Sequence, residues 1–500
     1  MAASTLSVLN LADIQAFITS GYGHLPQSAY LFVQFHDPAQ ARRWLAQLAP
    51  VVTTAKPWPK NAKGGKIKPA VTLNVAFAWD GLSALGLPRE VLCTFPEEFQ
   101  EGIATPARSG ILGDTEESDP TRWEFGAPDQ PPIHALVVVH AATQEAVEWA
   151  SDEQRQLIAK TAGGVVELAD SAQRGYRPSG DHEPFGFHDG VGQPWVAGID
   201  GEGVPTGEFI LGYENHYRGI PPAPVVAALL SAGDVLPEYA NPYHATARLR
   251  DLGFNGSFLV YRKLQQDVAG FWQFVKREAD RSGSTDDPCR MVWIAARMVG
   301  RWPSGTALML SAEADDARLR ERNDFFYRED PAGLRCPIGA HIRRTNPRDD
   351  VKPYPAAASL SMTEAHRILR RARVFGPTLF DPTVLADPSS GACRAAILAL
   401  EDDKRSRGIH FFAVNASIRS QFEFIQQTWC NNPRFGGLYD NKDPISGDNN
   451  RTGEASSHMV IPGESRSLRT AALPRFVTVK AGAYLFMPSV RALRFLSSFG

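Results

Sequence analysis

The chain has 500 residues, 43% hydrophobic and 21% charged, with a net charge of −3. That composition is globular and excludes global disorder, and the length suits two domains or a duplicated unit better than one core. The near-neutral balance gives no broad electrostatic reason to bind nucleic acid or an anionic membrane.

In chain order, the opening MAASTLSVLNLADIQAFITSG lacks a basic n-region, and Asp13 interrupts its apolar run, so it does not read as a signal peptide. SAYLFVQF (28–35) is strand-like by its β-branched and aromatic content. In the segment that follows, Asp37 is placed to cap a helix with Pro38 in its first turn and Leu45 and Leu48 on one face. AVTLNVAFA (70–78) and HALVVVHA (134–141) are further strands. A helix over about Glu145 to Lys160 and a short strand at Gly164–Leu168 follow. The run VVAALL (225–230) is far too short to span a membrane.

The second half repeats the opening theme. GSFLVYRKLQQDVAGFWQFV (256–275) matches the first strand and helix in order, with Trp272 where the earlier helix has Trp44. GIHFFAVNAS (408–417) and IRSQFEFIQQTW (418–429) give another strand and helix. Such a pattern predicts an α+β protein made of two packed α+β sandwiches. Ala55–Lys68, Gly376–Cys393 and Asn432–Asn450 read as loop-rich insertions or site-forming chain. Cys93, Cys289, Cys336, Cys393 and Cys430 are dispersed without CxxC spacing, which predicts reduced thiols in the cytoplasm and no zinc site.

Three segments carry chemistry. In EPFGFHDGVGQPW (183–195), Gly186 and Gly190 bracket Asp189, and glycine allows a sharp turn or close approach to a flat ligand. Alone, this is a simple Asp-Gly turn. In CPIGAHIRRTNPRD (336–349), His341 has small neighbours before it and Arg343, Arg344 and Arg348 after it. A neutral imidazole suits haem iron, and guanidiniums suit carboxylates. Alone, it is a structural histidine in a basic turn. In HRILRRARVFGP (366–377), the arginines around Arg370 read by themselves as a solvated helix end.

Together these segments resemble the dye-decolourising peroxidases (DyP-type haem peroxidases), in their longer soluble subgroup. GFHDG fits that family's G-x-x-D-G signature, HIRRTNPR its proximal-histidine segment, and ILRR with Phe375–Gly376 its distal-arginine segment. GEFILGY (207–213), NGSFLVYRKLQQDV (255–268), GRWPSG (300–305) and QFEFIQQTWCNNPRFGGLYD (421–440) continue the match in order.

The resemblance implies duplicated ferredoxin-like halves, residues 1–250 with the distal motif and 251–500 with the proximal histidine and distal arginine. Haem b (iron protoporphyrin IX) would be held in the C-terminal half. It implies a peroxidase that reduces hydrogen peroxide and oxidises dyes, phenols or other aromatic donors through an oxyferryl intermediate. Asp189 would be the acid–base group and Arg370 the cation that stabilises peroxide's developing charge. His341 would be the iron ligand. Arg343, Gly186, Gly190, Phe187 and Phe412 would be further cofactor contacts, and Glu423 the carboxylate behind His341.

Electrons from bulky donors would enter through a surface Trp or Tyr, among ten Trp and twelve Tyr. Two positions depart from the family pattern. Ala372 stands where Gly or Asn is usual, and His410 where an aliphatic residue is expected. Strand alternation puts His410 with Phe412, either on the distal wall or, as the preferred reading, facing away with a structural role. His188, next to Asp189, is expected to point elsewhere. A haem- or iron-handling protein with incidental peroxidase activity is the alternative, but it needs only His341 and a pocket, not Asp189 and Arg370. RALRFLSSFG directly after a strand-like run reads against a shell-targeting tail.

Overall fold

The computed structural model describes residues 9–168, 173–230, 235–239, 249–450 and 457–499. The strands in chain order are β1 (Gln27–Phe35), β2 (Val71–Phe77), β3 (Ala135–Ala141), β4 (Val165–Glu167), β5 (Gln173–Tyr176), β6 (Val225–Ala227) and β7 (Leu249–Asp251). They continue with β8 (Ser257–Gln266), β9 (Leu369–Arg370), β10 (Arg373–Phe375), β11 (Gly408–Asn415), β12 (Val460–Ile461), β13 (Leu468–Arg469) and β14 (Val477–Met487).

The expected repeat is present. β1 leads into the helix Pro38–Leu48, capped by Asp37, whose carboxylate accepts from the Gln40 N–H at 2.8 Å. β8 leads into the helix Val268–Arg281, where Asp267 does the same for Gly270. Trp44 and Trp272 are both buried.

The two strand sets are antiparallel and fuse into one sheet. Its order is β10-β5-β1-β3-β2-β14-β8-β11-β9, and β10 also pairs with β11, so the path returns on itself as a barrel. The N-terminal strands join the C-terminal ones at two narrow seams, Phe77 against Phe486 and Tyr176 against Val374. The α+β class therefore holds, but the sandwiches expected from the sequence share a closed wall. A division near residue 250 remains a proposal about organisation, and it falls inside β7, which pairs with β6.

Strand alternation sorts the side chains. Tyr30, Phe32, Leu259, Tyr261, Phe412 and Val414 pack in one cluster. Leu31, Val33, Phe258, Val260 and Ala413 belong to another, with Trp44 and Leu48 of the helix Pro38–Leu48. A third cluster joins the helices Val268–Arg281 and Pro288–Val299 to Phe185 and Phe187 of the Asp189 segment. That core anchors the segment beside the C-terminal strands. Among the described residues no helix is long and apolar enough to cross a membrane.

Candidate functional site

A cavity lies against the cluster-outward face of β8 and β11, lined there by Arg262, Leu264, Ile409 and Phe411. His341, Asp189 and Arg370 all border it.

His341 opens the short helix His341–Thr345. Its Nδ1 lies 2.9 Å from Asp443 Oδ2 and 3.1 Å from Oδ1. Asp443 is fully buried and also accepts from the Ile445 and Ser446 N–H groups at 2.8 and 2.9 Å. Burial pushes this carboxyl up, but His341, Arg344 and the Ser446 N–H together outweigh it and hold Asp443 below the ordinary carboxylate range. An anion at this place fixes the proton on Nδ1 and leaves Nε2 as the basic nitrogen. Arg344 holds the surrounding loop by donating to the carbonyls of Trp429 and Asn441, both at 2.9 Å.

Glu423 does not take the role assigned to it from the sequence. It is buried elsewhere, accepting from Tyr484 Oη at 2.8 Å and Arg108 Nη1 at 3.1 Å. The helix IRSQFEFIQQTW is present as a wide π-type helix over Arg419–Glu423 and Ile425–Cys430. It offers Phe422, Ile425, Gln426 and Cys430 to the cavity instead. Asp443 sits in the irregular Asn432–Asn450 stretch; its one local signal was D-P-I-S, an aspartate placed to accept from backbone N–H groups two and three residues on.

On the distal side, the Asp189 segment is held by its own backbone. Glu183 accepts from the Phe185 and Phe187 N–H groups, both at 3.0 Å, and Asp189 N–H donates to the Asp181 carbonyl at 2.9 Å. Trp272 Nε1 anchors it by donating to the Phe185 carbonyl at 3.0 Å. Gly186 and Gly190 have φ of +103° and +92°, a region that disfavours any residue with a Cβ. Phe187 and Gly190 line the cavity as expected. Gly186 does not: a Cβ there would meet Leu385 and Phe380, so this glycine serves the turn. His188 is among the residues lining the cavity, while its ring is turned to the Gly180 carbonyl, 2.9 Å from Nδ1.

Arg370 ends β9 rather than a helix, because Leu369–Arg370 and Arg373–Phe375 pair with β11. Its N–H donates to Gln193 Oε1 at 3.0 Å, and its Nη2 stands 3.9 Å from Asp189 Oδ1. The neighbouring Arg371 and Arg373 are buried and donate to carbonyls of the Phe17–Leu25 stretch, which is why an apparent solvated run became a strand edge.

Two expected cofactor contacts are displaced. Arg343 is buried among Asp330, Asp350 and the Cys336 carbonyl, away from the cavity. Arg348 lines the cavity in its place, stacked 3.9 Å from the Phe325 ring centroid. Phe412 points to the other face of β11, against Tyr30 and Tyr261, and Phe411 lines the cavity. His410 shares Phe412's face, so the structural reading of it is the one the geometry supports.

Arg301, Arg348, Arg367 and Arg370 gather on one side of the cavity. Burial, together with repulsion from Arg348 and Arg370, lowers both Arg301 and Arg367 to about 10. They stay charged at neutral pH, and an anionic ligand would relieve their mutual repulsion.

The comparisons fit this geometry. The DyP dimeric α+β barrel domain model matches residues 13–175. A dye-decolorizing peroxidase of Auricularia auricula-judae, AauDyP1, is 29% identical over 512 residues, spanning 97% of this chain and 86% of the relative. The multifunctional dye peroxidase DyP2 of Amycolatopsis sp. (strain ATCC 39116 / 75iv2) is 28% identical over 483 residues, 93% of this chain and 91% of the relative. A solved dye-decolorizing peroxidase whose heme pocket was engineered for asymmetric sulfoxidation is 26% identical, with a TM-score of 0.73, covering 98% of this chain and 100% of that one.

Nearly the whole chain is similar to dye-decolorizing peroxidases.

That solved relative has a heme pocket, and the cavity of this chain fits such a group. A histidine with an anion behind it, the apolar Leu264, Ile409 and Phe411 of β8 and β11, backbone glycines Gly190 and Gly192, and several arginines are the lining such a group needs.

Proposed function

We propose that this chain is a peroxidase that binds haem b, reduces hydrogen peroxide and oxidises dyes, phenols or other bulky aromatic donors. The observation that supports it most is one cavity bordered both by His341, with Asp443 behind it, and by Asp189 with Arg370. A haem-handling protein would need the first pair and has no use for the second.

His341 would ligate the iron through Nε2, with Asp443 holding the ring and raising its basicity. The guanidiniums of Arg348, Arg301 and Arg367 would face the cofactor's carboxylates. Gly190 and Phe187 would border its distal face. When bound, haem supplies the redox chemistry between peroxide and donor. The protein's own part is proton handling. Asp189 would take the proton from one peroxide oxygen and return it to the other, a base first and an acid second. Arg370, always cationic, would stabilise the charge that builds on peroxide as the proton leaves.

The free state of Cys93, Cys289, Cys336, Cys393 and Cys430 supports a reducing compartment, and we propose a cytoplasmic location. The test is the absorption spectrum of the haem-reconstituted protein before and after one equivalent of peroxide. A Soret band that shifts in the parent, shifts slowly in Asp189→Asn and Arg370→Leu, and is weakened in His341→Ala supports the reading. A Soret band unmoved by peroxide in the parent overturns it in favour of haem handling.

A further inference from the structure

His410 is buried and faces away from the proposed peroxide site, so the chemistry above gives it nothing to do. Its hydrogen bonds are nonetheless specific. The ring Nε2 lies 3.2 Å from the Arg174 carbonyl, and a carbonyl can only accept, so Nε2 carries the hydrogen. Nδ1 is then a lone pair, and Tyr261 Oη stands 3.1 Å from it. The phenol must be the donor, giving Tyr261 O–H to His410 Nδ1 in a defined direction.

The surroundings are buried and aromatic. Tyr30 meets His410 edge-on with centroids 4.9 Å apart, and Phe412 lies 5.0 Å from Tyr261. The pair is also close to the cavity across a single sheet. Tyr261 and Phe412 are register partners on β8 and β11, while the adjacent Arg262 and Phe411, also partners, line the cavity on the other face. One sheet separates the two.

We propose that Tyr261 and His410 form a buried redox site that stores an oxidising equivalent during turnover. The proposal rests on the peroxidase reading above, because peroxide-oxidised haem is the oxidant. One electron leaves the Tyr261 phenol for that oxidant. The Oη proton moves to His410 Nδ1, leaving a neutral tyrosyl radical and an imidazolium. When a reducing substrate returns an electron to the tyrosyl oxygen, the proton returns from Nδ1, and the phenol and neutral imidazole are restored. An isolated phenol in this core could not be oxidised so readily, since its proton would have no base to reach and a bare radical cation would stand in a low-dielectric interior. The imidazole gives the proton a base to reach; burial and the Lys263 charge lower His410 to about 3, which still leaves it a far stronger base than an oxidised phenol. Tyr22 and Tyr30, also buried in this cluster, lack it: Tyr22 donates to the amide oxygen of Asn74, and Tyr30 meets the Ser28 hydroxyl.

The test is freeze-quench electron paramagnetic resonance on the haem-loaded protein, given peroxide without a reducing substrate and grown with ring-deuterated tyrosine to mark tyrosyl signals. Tyr261→Phe removes the phenol and keeps the ring. His410→Gln can still accept from Tyr261 and donate to Arg174, but an amide cannot take up the proton. The expected result is a tyrosyl signal in the parent that is lost in Tyr261→Phe and several-fold weaker in His410→Gln, with the Soret response to peroxide intact in all three. An undiminished signal in Tyr261→Phe overturns the proposal, and undiminished yield in His410→Gln overturns the proton transfer even if Tyr261 is the radical. A parent Soret band unmoved by peroxide overturns the peroxidase reading itself and this proposal with it.

Discussion

His341 Nδ1 sits 2.9 Å from a carboxylate, Asp443, that lies 102 residues away in sequence and is wholly removed from solvent. Removing the charge while keeping the shape isolates its effect. Asp443→Asn should reduce haem affinity or peroxidase turnover by roughly 10–100-fold, as loss of a partner behind a metal-binding histidine generally does. Haem titration and steady-state oxidation of a dye give the two readings. The same residue sets an acid limit on folding. Its folded-state value is depressed, so its stabilisation is present above the ordinary carboxylate value of about 3.9 and is lost as pH falls through the lower folded one. The haem-free parent should therefore lose stability more steeply below about pH 4 than Asp443→Asn, read by urea midpoints across that range.

Asp189 and Arg370 stand too far apart for a direct hydrogen bond, at 3.9 Å, yet close enough that one oxygen ligand beside them could meet both. Their variants should therefore fail differently. Asp189→Asn loses the proton carrier, and the rate of the peroxide-driven Soret shift should fall by roughly 10²–10⁴-fold. Arg370→Lys keeps a charge but loses the planar fork, and we expect a smaller loss than for Arg370→Leu, on the order of 10²-fold for the latter. Stopped-flow absorbance measures all three. Equal rates in the parent and Asp189→Asn would remove Asp189 from the chemistry.

The sequence made the chemistry legible where it was local and left it obscure where it was set by tertiary contact. The caps at Asp37 and Asp267, the paired Trp44 and Trp272 helices, and the glycine-bounded turn at Asp189 follow from short-range rules. Barrel closure does not, because its two seams rest on single strand partners from opposite halves. Asp443 was hidden for a similar reason: nothing near it in sequence mentions a histidine. Phe411 and Phe412 show the finest limit. Alternation says that they face opposite ways, but only the packed barrel says which way the cavity lies.

Arg343 and Arg348 separate a structural cation from a ligand-facing one. Arg343 is 1% exposed, with Asp330 and Asp350 as ion-pair partners. Arg343→Met strands both carboxylates and should cost about 3–5 kcal/mol of stability. Arg348→Gln touches the cavity, and its main effect should be weaker haem retention with a smaller change in the unfolding midpoint. Urea unfolding of the haem-free proteins, with haem titration of the folded ones, compares them. The opposite ranking would restore Arg343 as the cofactor contact.

Glu183 ties the distal segment to the barrel wall, accepting from Phe185, Phe187 and Gln266 Nε2, the last at 2.7 Å. Burial is the main cause that raises its carboxyl to about 7, with the nearby Asp189 charge adding to the shift. A raised folded-state value gives stability that is complete below the unfolded value and is lost as pH climbs through the folded one. The parent should thus lose stability between about pH 4.5 and about 7 from this group, and Glu183→Gln should flatten that slope. The variant has one acceptor oxygen where the carboxylate offers two, Oε2 to the Phe185 N–H and Oε1 to the Phe187 N–H, so it also loses one of these turn bonds, an offset that does not depend on pH. Urea midpoints of the haem-free proteins from pH 4 to 8 provide the measurement. Parallel profiles for the two proteins would show that Glu183 titrates alike in the folded and unfolded states.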